Sequence, residues 1–205
     1  MIIGKAISRL VAQAPWVWPL VSRPVMGFFD SRANGWDTRT GAGSVEHLAP
    51  LAAGALKVEG DPERVLDIGC GTGAATLFLA REFPRARIRG VDLSIEMIDE
   101  ANSKIGLDPE ARVAFRVGDA SKLPYPDSNF DLVAQTNMPV FFSEIDRVLR
   151  PGGTVIIASS LGTDTPFSTS HDLLRKKFTK HSINEVETGS AAEGTYFAAR
   201  KDPLA

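Results

Sequence analysis

The chain has 205 residues, with 23 basic and 25 acidic side chains and a formal net charge of −2. Hydrophobic residues make up 43% of it, enough for a real core, which excludes a disordered chain, and the charge balance lacks the basic excess of a dedicated nucleic-acid binder. Cys70 is the single cysteine, so neither an intramolecular disulfide nor a cysteine metal cluster can form, and a cytoplasmic setting is expected.

Ile2, Ile3, Ala6, Ile7, Leu10, Val11 and Ala14 form a helical apolar stripe, with Lys5 and Arg9 on the other side and Pro15 as its stop. The uncharged stretch from Leu10 to Ser22 falls short of the ~20 apolar residues of a spanning helix. Its prolines and tryptophans also argue against a secretory signal. Such a basic amphipathic helix, followed by Trp16 and Trp18, suits packing on its own domain, on a second subunit of a homodimer, or against a membrane surface through residues 1–20. Residues 23–43 show no period and read as a loop with a short helical piece. Ser44 is an N-cap for a helix with Val45, Leu48, Ala49, Ala52 and Leu56 on one face. These features predict an N-terminal helical cap over residues 1–43 and a main domain over 44–205.

From Arg64 strands and helices alternate. Strands are predicted at Val65–Ile68, Arg87–Val91, Arg112–Val117, Phe130–Gln135 and Thr154–Ser159. Helices are predicted at Ala74–Glu82, from Ser94 to Ile105, at Phe142–Arg150 and near Ser170–Phe178. Ile183–Thr188 and Thr195–Arg200 suit a closing hairpin about Gly189 and Gly194. Repeated strand–helix–strand units imply a doubly wound α/β sheet, with ligands at the carboxyl ends of its strands.

The chemistry-bearing strings sit at those ends. Val65-Leu66-Asp67-Ile68-Gly69-Cys70-Gly71-Thr72-Gly73 is a strand feeding a glycine turn that opens a helix. Its third glycine comes one residue earlier than in the dinucleotide fingerprint. Asp67 before the turn suits an ammonium better than a pyrophosphate. Asp92 ends the second strand, about twenty residues beyond Gly73, where a carboxylate can accept both ribose hydroxyls of an adenosine. Asp119 ends the third strand, where it can accept from an adenine amine while the Ala120 N–H donates to a ring nitrogen.

Together VLDIGCGTG, VDLSIEMIDEA, GDASKLPYPDSNFDLV and EIDRVLRPGG, spread over residues 65–159, resemble the class I S-adenosylmethionine-dependent methyltransferases of the ubiquinone/menaquinone-biosynthesis-like small-molecule group. The resemblance implies a Rossmann-like seven-stranded sheet, mostly parallel with an antiparallel last strand, plus the helical cap. It implies S-adenosyl-L-methionine as cofactor and a small-molecule methyl acceptor. It further implies that Asp67 and the backbone at Gly69 and Gly71 hold the methionine part and Asp92 the ribose. Leu93, Met97, Asp119 and Ala120 would surround the adenine, with Cys70, Gly73 and Gln135 completing the cofactor set. Trp36, Asn137 and Met138 are expected beside the acceptor. The stretch from Phe28-Phe29-Asp30 to Gly35-Trp36-Asp37 resembles one that folds over the methyl-donor end in related enzymes.

Other readings stay beside this one. Asn137-Met138-Pro139-Val140 departs at two places from the Asn/Asp-Pro-Pro-aromatic motif of methyltransferases acting on amide or adenine nitrogens, in proteins or nucleic acids. A non-catalytic cofactor binder and a dinucleotide oxidoreductase are the remaining rivals. His47 and His171 are candidate bases or ordinary surface histidines. Cys70 reads as a small residue in the turn, Asp131 as a structural carboxylate, and Arg175-Lys176-Lys177 as a solvated helix face.

Overall fold

The computed structural model describes residues 2–108 and 110–204, with side chains from Gly4 onward, so the side chains of Ile2 and Ile3 in the expected stripe lie outside the described residues. Helices α1 (Ile2–Gln13), α2 (Trp18–Asp30) and α3 (Trp36–Thr40) come first, followed by α4 (Val45–Ala55). Then β1 (Arg64–Ile68), α5 (Ala74–Glu82), β2 (Arg87–Asp92), α6 (Ile95–Ser103), β3 (Val113–Val117), β4 (Phe130–Thr136), α7 (Phe142–Val148), β5 (Leu149–Ser159), α8 (His171–Phe178), β6 (Ile183–Ala191) and β7 (Gly194–Lys201) complete the order.

The strands form one seven-stranded sheet in the order β3-β2-β1-β4-β5-β7-β6, parallel except for β7, which runs antiparallel to both its neighbours. The central strands are apolar on both faces because each face meets its own core. Val65, Leu132, Ala134 and Ile156 turn toward Leu51 of α4 and Leu79 of α5. Their neighbours Leu66, Val133, Val155 and Ile157 turn toward Ile145 of α7 and Leu174 and Phe178 of α8. Gly54 lets α4 lie close to the sheet, since a Cβ there would sit 2.6 Å from Ile156 Cγ2. The chain order reverses between β1 and β4, so the crevice for a ligand opens above those two strands.

Four local expectations are corrected. Residues 18–30 are helical despite Pro19 and Pro24: Pro19 lies in the first turn, where no N–H is needed, and Pro24 and Leu20 are exposed, so the freed Leu20 carbonyl faces water. The buried face of α4 is Pro50, Leu51, Gly54 and Ala55, while Val45 and Leu56 point outward. No loop separates α7 from β5: the strand starts at Leu149, opposite Phe130, and the Pro151-Gly152-Gly153 stretch is absorbed as an irregularity in register. The hairpin is longer than expected, with Gly189 inside β6 and the turn at Ala192-Glu193.

The first two helices are built into the main body. Val11, Trp18 and Phe141 form a cluster against which Leu93, Ala120 and Met138 pack. Ala12 belongs to the larger core under α7 and α8.

Candidate active site

At the carboxyl end of β1 the backbone turns sharply. Gly69 and Cys70 both donate N–H bonds to Val91 O, at 2.8 and 3.1 Å, tying the turn to the end of β2. Gly71 has φ +51°, and among the described residues no atom beyond its chain neighbours lies within 4 Å of where its Cβ would be, so that face of the turn is open. A cavity of about 160 Å³ lies above it.

The cavity wall brings together Gly69, Cys70, Gly71, Asp92, Leu93, Met97 and Ala120 from the expected cofactor set. Trp36, Asn137 and Met138, expected beside the acceptor, also line it. Asp92 accepts from Gly71 N through Oδ2 and from Ser94 N through Oδ1, both at 2.9 Å. Each oxygen retains room for one more donor. Burial raises the pKa of this carboxyl, opposed by those backbone N–H groups.

The remaining expected residues stand elsewhere. Asp67 is fully buried beneath the turn and accepts from Thr76 Oγ1 at 2.6 Å; burial pushes its pKa up to about 7, the Thr76 bond opposes this, and Asp92 adds to it. Gly73 is a packing position, because a Cβ there would meet Phe115 at 2.6 Å. Gln135 is buried and donates from Nε2 to Met138 O at 3.1 Å, shaping the loop after β4 rather than facing the cavity. Asp119 is not on the wall either: its Oδ1 accepts from Trp18 Nε1 and Ser121 N, both at 2.8 Å, and the wall there is Trp18. Cys70, which does line the cavity, is buried, and burial first, then Asp92 and Asp67, push its thiol up, which suits a small residue of the turn rather than a nucleophile.

Asn137 takes φ +58°, which Asn tolerates better than most residues. Its Oδ1 accepts from Ser160 N and its Nδ2 donates to Ser160 Oγ, both at 2.8 Å, so the side chain is a brace between the ends of β4 and β5. Phe141 packs edge-on against Trp18 and Phe142 against Phe178. Neither ring is placed to stack on a target amine, which removes the basis for the amide- or adenine-nitrogen chemistry. Asp131 accepts from Glu63 N and Arg64 N and pairs with Arg150, a structural carboxylate. His171 sits against Phe197, off the cavity, whereas His47 lines it; burial lowers the pKa of His47, with Asp37 opposing.

Sequence reasoning missed the cavity residues Trp18, Val25, Met26, Thr72, Thr136 and Phe167, while Phe29 lies in the stretch expected to fold over this end. Trp18, Val25, Met26 and Phe29 lie on the helix that the prolines concealed. Thr136 carries a buried Oγ1 with no partner among the described residues, a donor and acceptor at the end of β4. The cap is fastened over the turn by polar contacts: Asp37 accepts from Thr72 Oγ1 and Lys104 Nζ, and Asp30 accepts from Ser94 Oγ. Phe29 bridges Trp36 and Phe167, at ring separations of 5.4 and 6.3 Å.

The comparisons with known proteins agree with this geometry. A family model described as a methyltransferase domain matches residues 65–153. A demethylmenaquinone methyltransferase of Deinococcus radiodurans is 32% identical over 203 residues, covering 94% of this chain and 76% of its own length. A fatty-acid O-methyltransferase of Mycolicibacterium smegmatis is 40% identical over 106 residues, covering 48% of this chain and 38% of its own. Several further curated relatives are likewise spanned over less than two thirds of their length. Among solved structures, a SAM-dependent methyltransferase from Aquifex aeolicus superposes with a TM-score of 0.61 at 20% identity, over 76% of this chain and 91% of that one, and shares the fold. The chain belongs to the class I S-adenosylmethionine-dependent methyltransferases. S-adenosylmethionine is the cofactor this membership assigns. The residues present fit it: an open glycine face, a carboxylate with spare acceptor sites and the unpartnered Thr136 hydroxyl share one cavity.

Proposed function

We propose that this chain transfers a methyl group from S-adenosylmethionine to a small, predominantly apolar acceptor. The observation that carries the reading is the two-sided cavity. One side is the Gly69–Gly71 turn with Asp92; the other is the aromatic cluster of Phe29, Trp36 and Phe167, and His47 lines the same cavity.

In this reading Asp92 holds the ribose hydroxyls, Leu93, Met97 and Ala120 pack on the adenine, and Thr136 and the Gly69–Gly71 backbone hold the amino-acid end. Asp67 supplies a carboxylate beneath the turn that favours a cationic ligand above it. Trp18 keeps Asp119 in place through its indole N–H. The cofactor supplies a methyl on a sulfonium, which leaves as a neutral thioether. This chain's own part is alignment and exclusion of water by the aromatic wall. Where the acceptor carries a proton to be lost, neutral His47 is the cavity group able to take it.

The cavity of about 160 Å³ is smaller than the ~300–1,000 Å³ of ordinary ligand sites. We therefore propose that, within the cap of residues 1–43, the stretch after α2, residues 31–43 with Trp36, is a lid over the main domain, 44–205, that opens when the Asp37 contacts with Thr72 and Lys104 break, while the first two helices stay packed in the body. The chain would act in the cytoplasm, where the free thiol of Cys70 stays reduced.

The relatives' names set the first acceptors to try: demethylmenaquinone and fatty acids. Radiolabelled methyl transfer from S-adenosylmethionine into an organic extract is the test. Labelled product that disappears in Trp36→Ala supports the reading. Full S-adenosylhomocysteine binding without transfer to any member of a broad apolar panel would favour a non-catalytic binder.

A further inference from the structure

The surface behind the cap carries features the methyl-transfer site does not use. A groove of about 480 Å³ runs between the corner joining α1 to α2 and the α7–α8 face. Val11, Ala12, Val140 and Phe142 make its floor apolar, and Lys177 and Lys180 stand on its rim. At its mouth is Pro15-Trp16, followed by Pro19 and Leu20. Trp16 and Leu20 are each 76% exposed and Leu10 is 45% exposed. An indole and two leucines left in water on one corner are unusual for a chain whose other tryptophans pack inward.

The charges around this corner are also unspent. Arg9, Arg23, Lys176, Lys177 and Lys180 make no ion pair among the described residues, while Arg175 beside them is held by Asp172 and Glu185. Glu144, the acid lining the groove, is neutralised by Arg147, and His181 is paired with Asp146. The corner thus sets exposed Trp16 beside Lys177 and Lys180, with further cations unpaired among the described residues on the same three helices.

We propose that this corner is a peripheral docking surface for an anionic lipid bilayer. Trp16 and Leu20 enter the boundary between headgroups and acyl chains, where an indole is most stable. Arg9, Lys177 and Lys180 face the lipid phosphates. A second copy of the chain is a poorer occupant, because a twofold contact would set these cations against themselves. Helix α2 connects the two surfaces: Leu20, Pro24 and Phe28 lie on its outer face, while Val25, Met26 and Phe29 line the active-site cavity. Docking therefore leaves the acceptor wall about one helix diameter, ~10 Å, from the lipid.

The test is co-sedimentation of the full chain with vesicles of phosphatidylcholine alone and of an equimolar phosphatidylcholine–phosphatidylglycerol mixture. Two surface double variants, Trp16→Ser/Leu20→Ser and Lys177→Glu/Lys180→Glu, are compared, with S-adenosylhomocysteine calorimetry reporting an intact fold. We expect binding to the anionic vesicles that weakens with added salt and falls at least about tenfold in each double variant. Equal binding to both vesicle types, no binding to either, or unchanged binding in the variants overturns the proposal. So does a dimer, seen by light scattering, that both variants abolish, since that assigns the corner to a second copy. None of these readouts depends on methyl transfer, so the docking surface and the catalytic reading fail separately.

Discussion

Replacing Asp92 by alanine tests the cofactor side most directly, because the proposed reading gives this carboxylate two kinds of partner. Within the protein it accepts from Gly71 N and Ser94 N at 2.9 Å each, so it fixes both the glycine turn and the start of α6. Its loss leaves two partly buried backbone donors unpaired, at about 1–3 kcal/mol each. Relief of the carboxylate's own desolvation, visible in its raised pKa, offsets part of that. A net loss of ~2–4 kcal/mol follows, or roughly 5–15 °C in Tm for a chain of this size. The charge-assisted bonds to the ribose are worth a further ~1.5–3 kcal/mol in affinity, about ten- to a hundredfold in Kd. Asp92→Asn separates the two effects: it keeps the volume and one acceptor oxygen, so Tm falls less while affinity still drops. The measurements are scanning calorimetry and titration calorimetry with S-adenosylhomocysteine, made well below the lowest Tm. Unchanged affinity in both variants would refute the assignment of Asp92 to the ribose.

Other outcomes are equally specific. Trp36→Ala lowers kcat more than cofactor affinity, because Trp36 stands with Phe29 on the acceptor wall; equal losses in both, read from paired kinetics and calorimetry, would make it only an anchor for the cap. Asp37→Asn weakens the cap's hold on Thr72 and Lys104 and speeds both association and dissociation of S-adenosylhomocysteine in stopped flow; unaltered rates would dismiss the lid. Burial holds the Asp67 pKa at about 7 against an ordinary 3.8, so the folded chain binds the extra proton between those values. The stability this proton brings is complete below pH 3.8 and is lost as the pH rises to about 7, so Tm declines across that window more steeply in the wild type than in Asp67→Asn. A cationic ligand favours the carboxylate, so its binding near pH 7 releases protons, seen as buffer-dependent heats that Asp67→Asn diminishes. NAD does not displace labelled S-adenosylmethionine at micromolar concentration; displacement would overturn the reading of the shifted glycine.

Local chemistry alone determined the alternation of strands and helices, the glycine turn after β1 and the acidic ends of β2 and β3. These are legible because they depend on neighbours in sequence: a buried strand needs a continuous apolar run, and a helix begins at a capping Ser44 or Ser94. The seven-stranded, mostly parallel sheet with one antiparallel strand follows from the same alternation combined with the family resemblance, whereas the order of the strands is seen only in the structure. The N-terminal segment was less legible. Pro24 ends a helix in isolation, but here α2 is held by packing of Trp18, Val21 and Val25 against Phe141, Leu93 and Met138, contacts far away in sequence.

The site divides along the same line. Asp92 and the Gly69–Gly71 turn could be read in advance because strand ends aim them at the crevice. Asp119 lies just past the end of β3 and Gln135 near the end of β4, yet Trp18, brought in from a distant segment, takes one Asp119 oxygen, and the loop after β4 folds back so that Met138 O takes the Gln135 amide N–H. Asn137 lines the cavity as expected, yet only the structure shows that Ser160 of the neighbouring segment engages both ends of its amide. Residue type and spacing thus determined which groups reach the cavity end of the sheet. Only tertiary packing decided which of them keep a free face there, because a side chain's partner is set by what folds over it and not by its place in the strand.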